Sequence, residues 1–92
     1  MIRSFRGNET EELFRRSRSR RFGNIAEVAR RKLRMIQDAD KLEDLAAVPG
    51  NRLEALSGWR KGQHSIRIND QFRICFLWKS GAAENVEIVD YH

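Results

Sequence analysis

The chain has 92 residues and a mass of 10.8 kDa, the size of one small domain covering residues 1–92. With 40% hydrophobic and 34% charged residues it can build a compact but thin core, and its apolar stretches fall well short of the roughly 20 residues of a membrane helix. One cysteine, Cys75, excludes an internal disulfide framework, and a net charge of +5 with pI ≈ 10.1 favours an anionic partner, nucleic acid first. Residues 1–5 hold Ile2 and Phe5 and read as a short first strand. Asn8 or Thr10 can cap a helix whose first turn carries Glu9, Glu11 and Glu12, where the macrodipole favours negative charge. Leu13 and Phe14 form its expected buried pair, and the pattern breaks over residues 17–21 before Gly23.

A second helix follows. Asn24 and Glu27 have capping-box spacing, and Ile25, Val28, Ala29, Leu33 and Ile36 recur at helical period as a core-facing stripe. Residues 42–45 can add a helical turn before Pro49-Gly50. Beyond Pro49 the period becomes two. Residues 65–68 read as a strand with Ile66 and Ile68 on one face, and Asn69-Asp70 sits where a tight reverse turn belongs. Phe72, Ile74, Phe76 and Trp78 then alternate with Arg73, Cys75 and Leu77. Ser80-Gly81 turns the chain into a last strand through Val86 and Ile88 that runs into Asp90-Tyr91-His92. The order β-α-α-β-β-β implies an α+β domain, two helices packed on one face of a curled, mainly antiparallel sheet.

Charge is uneven along this plan. Residues 1–37 carry a balance of +7, residues 38–56 of −3 and residues 57–92 of +1. The basic excess is densest at Arg15, Arg16, Arg18, Arg20 and Arg21. Such a run is either a solvated helix end or a patch that tracks phosphates, in which case binding weakens with salt. No secretion signal is expected, since no charged-then-apolar start precedes a small-residue cleavage site. Together with the single thiol this points to the cytoplasm. No metal-ligand spacing, phosphate loop or nucleophile elbow occurs, so neither a metal nor a nucleotide cofactor is expected.

Two places carry candidate chemistry. Asp90, Tyr91 and His92 bring a carboxylate, a phenol and an imidazole into three consecutive positions; in an extended strand Asp90 and His92 point one way and Tyr91 the other. A terminal segment of this kind is either frayed or, anchored by the preceding Val86–Val89 stretch, a source of proton carriers. Arg73 projects from a strand whose alternate positions are apolar, so it faces away from the main core, where Arg60, Lys61, Arg67 and His64 can join it around RNA. Tyr91, Trp59 and Phe72 are possible platforms for a stacked base, although Phe72 and tryptophans are more often core. These parts suit RNA cleavage by the ribose 2′-OH, which needs a proton acceptor, a proton donor and cations for the phosphorane charge, with Glu54, Lys61 and His64 as further candidate contributors to catalysis.

On the residues Met1-Ile2-Arg3-Ser4-Phe5, the block from Arg52 to Gly58 with Leu53, Glu54, Ala55, Leu56 and Ser57, the run from Ser65 to Ile74, and the closing Asp90-Tyr91-His92, the chain resembles the HigB toxins of the RelE/ParE superfamily. The resemblance implies a small RelE-like domain and a ribosome-dependent mRNA endonuclease of a type II toxin–antitoxin system. It implies a 70S ribosome with bound mRNA as target, and inhibition by a HigA-like helix-turn-helix antitoxin in a higher-order complex, the toxin alone being monomeric. It implies that Arg73 stabilises the phosphate and that Asp90, Tyr91 and His92 form a C-terminal catalytic cluster. Glu54 stands where some relatives have a histidine and Ser57 where some have a lysine, which implies a weaker or differently organised nuclease. Two other readings stay open: a gyrase inhibitor of the ParE type, and a ribosome or RNA binder with little or no nuclease activity.

Overall fold

The computed structural model describes residues 1–16 and 19–91; Ser17 and Arg18 of the arginine-rich run, and His92, lie outside the described residues. Helices α1 (Glu9–Arg16), α2 (Ala26–Asp38) and α3 (Leu42–Ala46) come first, followed by strands β1 (Glu54–Ala55), β2 (Gln63–Arg67), β3 (Phe72–Lys79) and β4 (Ala82–Asp90). The strands form one antiparallel sheet in the order β1-β2-β3-β4. Period-two alternation gives this sheet two unlike faces. Ile66, Ile74, Phe76, Val86 and Ile88 point to one face and pack against Leu13, Phe22, Ile25, Ala29, Leu33 and Ile36 of the helix layer. Phe22 meets Phe72 edge-on, ring centroids 5.8 Å apart. Each such fully buried side chain contributes about 1.5–3 kcal/mol. No helix among the described residues is long and apolar enough to cross a membrane.

The α+β architecture and the three main strands follow the sequence pattern; several local features depart from it. Residues 1–5 make no full strand. Ile2 and Phe5 form isolated parallel bridges with Ala83 and Val86, and Arg3 N–H donates to the Ala83 carbonyl at 2.7 Å, so this segment covers the outer edge of β4. The Asn24–Glu27 capping box does not form, because a 3₁₀ turn over Gly23–Ile25 delays α2 until Ala26, with Ile25 at the cap and no side-chain cap bond. Thr10 caps nothing. It lies inside α1, buried, and its Oγ1 accepts the Ile88 N–H at 2.9 Å, tying α1 to β4. The β2–β3 connection is wider than a two-residue turn: Asn69 Oδ1 accepts the Gln71 and Phe72 N–H groups at 2.9 and 2.7 Å, the self-capped turn that asparagine favours. A bulge in β4 brings Asn85 to φ 53°, within the left-handed region asparagine tolerates.

Buried Asn51 joins the helix layer to the sheet. Its Oδ1 accepts from Lys32 Nζ at 2.5 Å, its Nδ2 donates to the Leu45 carbonyl at 3.0 Å, and its own carbonyl accepts the Arg67 N–H at 2.7 Å. Burial pushes the Lys32 ammonium below the ordinary lysine range, with Arg31 and Arg67 adding repulsion.

Candidate active site

The face of the sheet turned away from the helices carries the remaining alternate residues. Register fixes them: Glu54 lies opposite Ser65, Ser65 opposite Cys75, Arg67 opposite Arg73, and Cys75 opposite Glu87. Ser65 and Cys75, both fully buried, give this face a low floor over which longer side chains can lie.

Arg73 lies across that floor and is only 9% exposed. A buried guanidinium is costly unless its fork is satisfied. Here Nε donates to Ser65 Oγ at 2.8 Å and Nη2 to the Arg52 carbonyl at 2.6 Å, with Glu54 Oε1 at 3.5 Å from Nη2. The Arg52 carbonyl is aimed inward because Arg52 adopts φ 46°. Among the described residues, these contacts occupy Nε and Nη2, and Nη1 is the donor left for a phosphate oxygen.

Tyr91 closes the arrangement. Its N–H donates to the Gln71 carbonyl at 2.7 Å, which fixes the chain just past β4. Its ring lies 6.0 Å from Arg73 Cζ, and its hydroxyl is 3.7 Å from Cys75 Sγ. Tyr91 is about half exposed, while its hydroxyl turns onto the sheet. Burial, and then the contact with Cys75, hold the phenol above the ordinary tyrosine range. Burial likewise pushes the Cys75 thiol up, so this cysteine stays protonated and unreactive at neutral pH. At that pH Tyr91 is a proton donor.

Arg73 and Tyr91 form one wall of an open cleft of about 380 Å³ lined also by Arg52, Glu54, Arg67, Asn69 and Asp70. Arg67 is paired with Asp70, and the Arg52 side chain is exposed. Arg60 lies on the same face, bound to Gln63 Oε1 at 2.9 Å and to Glu87 Oε1 at 3.1 Å. Its charge acts on both Cys75 and Tyr91.

The structure thus gathers Arg73, Tyr91, Glu54, Arg67 and Arg60 on one face. Asp90 does not join them. Register sets it opposite Phe72, on the helix-facing side, where its Oδ2 accepts from Gln71 Nε2 at 3.0 Å. His64 is also on the wrong side: it pairs with Phe76, stacks on that ring at 6.4 Å, and its Nδ1 is buried without a hydrogen bond among the described residues. A two-residue period separates both from Arg73, so the structure does not bring His64 to the cleft. Phe72, buried beneath the helices, is no stacking platform. Lys61 is exposed in the turn before β2 and is not among the residues that line the cleft. His92 lies outside the described residues. Ser65 and Arg52 are site residues that the sequence pattern does not single out. Ser65 is discernible only as a small polar residue on the same strand face as Arg67; the role of the Arg52 carbonyl depends on a backbone twist that no sequence signal announces.

Residues 3–92 match the family model described as RelE-like toxin of type II toxin-antitoxin system HigB. Toxin HigB-1 of Vibrio cholerae is 47% identical over 55 residues, 60% of this chain and 58% of that toxin. An uncharacterized Haemophilus influenzae protein is 33% identical over 63 residues, 68% of this chain and 62% of its own length. The matches therefore span about three fifths of each of these relatives. In fold, the chain is similar to one in the YoeB-YefM complex from Staphylococcus aureus, with TM-score 0.62 at 15% identity, covering 100% of this chain and 98% of that one.

Proposed function

From the premise that this chain belongs to the HigB family of RelE-like toxins of type II toxin–antitoxin systems, we propose that it is an endoribonuclease that enters the decoding site of the 70S ribosome, cleaves bound mRNA and stops translation. The observation that carries this reading is the packing of a buried, fork-bound Arg73 against the Tyr91 ring in a cleft that also holds Arg52 and Arg67.

The reaction is an in-line transfer at phosphorus. The ribose 2′-OH loses its proton to a base and attacks the adjacent phosphorus, and the 5′ oxygen leaves with a proton, giving a 2′,3′-cyclic phosphate. Arg73 offers Nη1 to a non-bridging oxygen as charge builds there, with its guanidinium already oriented by Ser65 and Arg52. Tyr91 gives its proton to the leaving oxygen, a role that suits a phenol held protonated by burial. Glu54, 3.5 Å from Arg73, takes the 2′-OH proton, and His92, next to Tyr91 in the chain, is a third proposed proton carrier. Arg60 and Arg67 bind flanking phosphates. Asp90 acts on the far side of β4 by holding Gln71, whose carbonyl anchors Tyr91.

The proposed inhibitor is a helix-turn-helix antitoxin of the HigA type, which holds an otherwise monomeric toxin in a larger complex in the cytoplasm. Primer extension on mRNA from translating ribosomes treated with the pure protein tests the activity. Discrete cuts confined to ribosome-bound message are expected; intact message with active ribosomes refutes it. Supercoiling by DNA gyrase, run in parallel, should be unaffected, and inhibition there would move the chain to the ParE type of action.

A further inference from the structure

We propose that Trp59, backed by Arg60, is a platform on which a nucleobase of the substrate RNA stacks beside the Arg73 cleft; this rests on the RNA reading above and adds a recognition element to it. Trp59 is 80% exposed, in a chain whose other tryptophan, Trp78, packs edge-on against Phe76 at 6.4 Å. A large indole left in water invites a partner surface. It is not loose. It stands on the 3₁₀ turn Gly58–Arg60, which is closed by the Lys61 N–H donating to the Gly58 carbonyl at 3.1 Å. One face of its ring is covered by the Arg60 guanidinium, 4.4 Å from the centroid.

Arg60 is in turn fixed from below. Its ion pair with Glu87 is only 14% and 20% exposed, and Gln63 adds a second acceptor at 2.9 Å. The arginine therefore holds the indole at a set height over the sheet and leaves the opposite ring face to solvent. Contacts then run without a break to the cleft. Glu87 lies opposite Cys75, the Cys75 thiol meets the Tyr91 hydroxyl at 3.7 Å, and the Tyr91 ring lies beside Arg73 at 6.0 Å. Along this strip two exposed aromatic rings, each with a guanidinium against one face, alternate with cations. Phosphates need the cations and bases need the open rings, which is the layout of a single-stranded nucleic acid track. A protein segment docking on the same strip would need acidic side chains spaced to match and gains nothing from the alternation.

The test uses the full chain carrying Trp78→Phe, so that emission reports Trp59 alone, and a short oligoadenylate with 2′-O-methyl on every ribose, which cannot be cleaved by 2′-OH attack. Saturable quenching of Trp59 emission at low salt is expected. By anisotropy of the labelled RNA, Trp59→Ala should bind about 5- to 100-fold more weakly, and Trp59→Phe should restore most of that affinity. Binding that leaves the emission unchanged, or no binding at low salt, overturns the platform. Cleavage of ribosomal message by the parent without quenching removes the platform and keeps the nuclease. Quenching without cleavage supports the platform and removes the nuclease.

Discussion

Replacing Tyr91 with phenylalanine removes one oxygen and little else. The ring stays, so the 6.0 Å approach to Arg73 and the cover it gives the guanidinium are kept. The Tyr91 backbone bond to Gln71 is untouched. What disappears is the weak interaction of the hydroxyl with Cys75 Sγ at 3.7 Å and its hydrogen bond with Ser65, so stability should move by no more than about 1.5 kcal/mol. If the phenol protonates the leaving 5′ oxygen, single-turnover cleavage on programmed ribosomes should fall about 10²- to 10⁴-fold. That corresponds to about 3–5 kcal/mol of barrier, far more than any packing change here can supply. The pH profile gives an independent check. The active form is the protonated phenol, and burial holds its pKa above the ordinary value of 10.0. Parent activity should therefore persist through neutral pH and be lost on the alkaline side only above that ordinary value; Tyr91→Phe should lack this limb. A correctly folded Tyr91→Phe protein cleaving within about threefold of the parent would refute the proton-donor role, since even weak general acid catalysis exceeds that.

Arg73→Lys keeps a positive charge but loses the bonds from Nε to Ser65 and from Nη2 to the Arg52 carbonyl. Cleavage should drop about 10²- to 10³-fold, with ribosome affinity by sedimentation changing far less; near-parent activity would show that charge without the fork suffices. Glu54→His keeps a proton acceptor at position 54 but removes the negative charge that, in the proposed mechanism, competes with the scissile phosphate for Arg73 across 3.5 Å. Its side chain is 58% exposed, so the gain in cleavage should be modest, up to about fivefold, and an unchanged or slower folded variant would refute the competition. Asn51→Ala strips the partner from buried Lys32 and from the Leu45 carbonyl together. Urea unfolding should show a stability lower by about 2–4 kcal/mol, since two buried polar groups are left unsatisfied. A change under about 1 kcal/mol would mean that water replaces the amide.

The alternation in Phe72, Ile74, Phe76 and Trp78 is enough to place β3 and to turn Arg73 away from the core, because a two-residue period leaves no freedom once one face is buried. The same rule, applied at the chain end, separates Tyr91 from Asp90; what the sequence lacks is the phase, which of the two shares a face with Arg73. Pairing across β3 and β4 decides it. The bulge at Asn85 breaks the alternation between Ala83, opposite Trp78, and Val86, so counting in twos from the helix-facing Ala83 gives the wrong face. For His64 too, only the pairing with Phe76 reveals the face. Strand β1, two residues long, carries no periodic signal at all, yet it is what brings Glu54 within reach of Arg73. Patterns thus reveal which elements exist; long-range pairing reveals which side chains meet.

That pairing also explains how so small a domain can bury a guanidinium. Its helix-facing side is filled by Ile66, Ile74, Phe76 and Val86, none of which can be exchanged for polar groups without cost to the core. Among the described residues no α-helix lies over the outer face, which by itself would leave Arg73 in water, where its donors would be spent on solvent. Two fully buried small residues, Ser65 and Cys75, lower the floor, and Tyr91 forms a partial roof. The arginine is desolvated between them by aromatic and thiol surface, its fork held by one hydroxyl and one carbonyl. Enlarging Ser65 should therefore damage cleavage more than stability, because it lifts the guanidinium out of its slot while leaving the helix-facing core intact. A Ser65→Val protein that folds as the parent does but retains full cleavage would show that Arg73 needs neither the slot nor the Ser65 hydrogen bond to act.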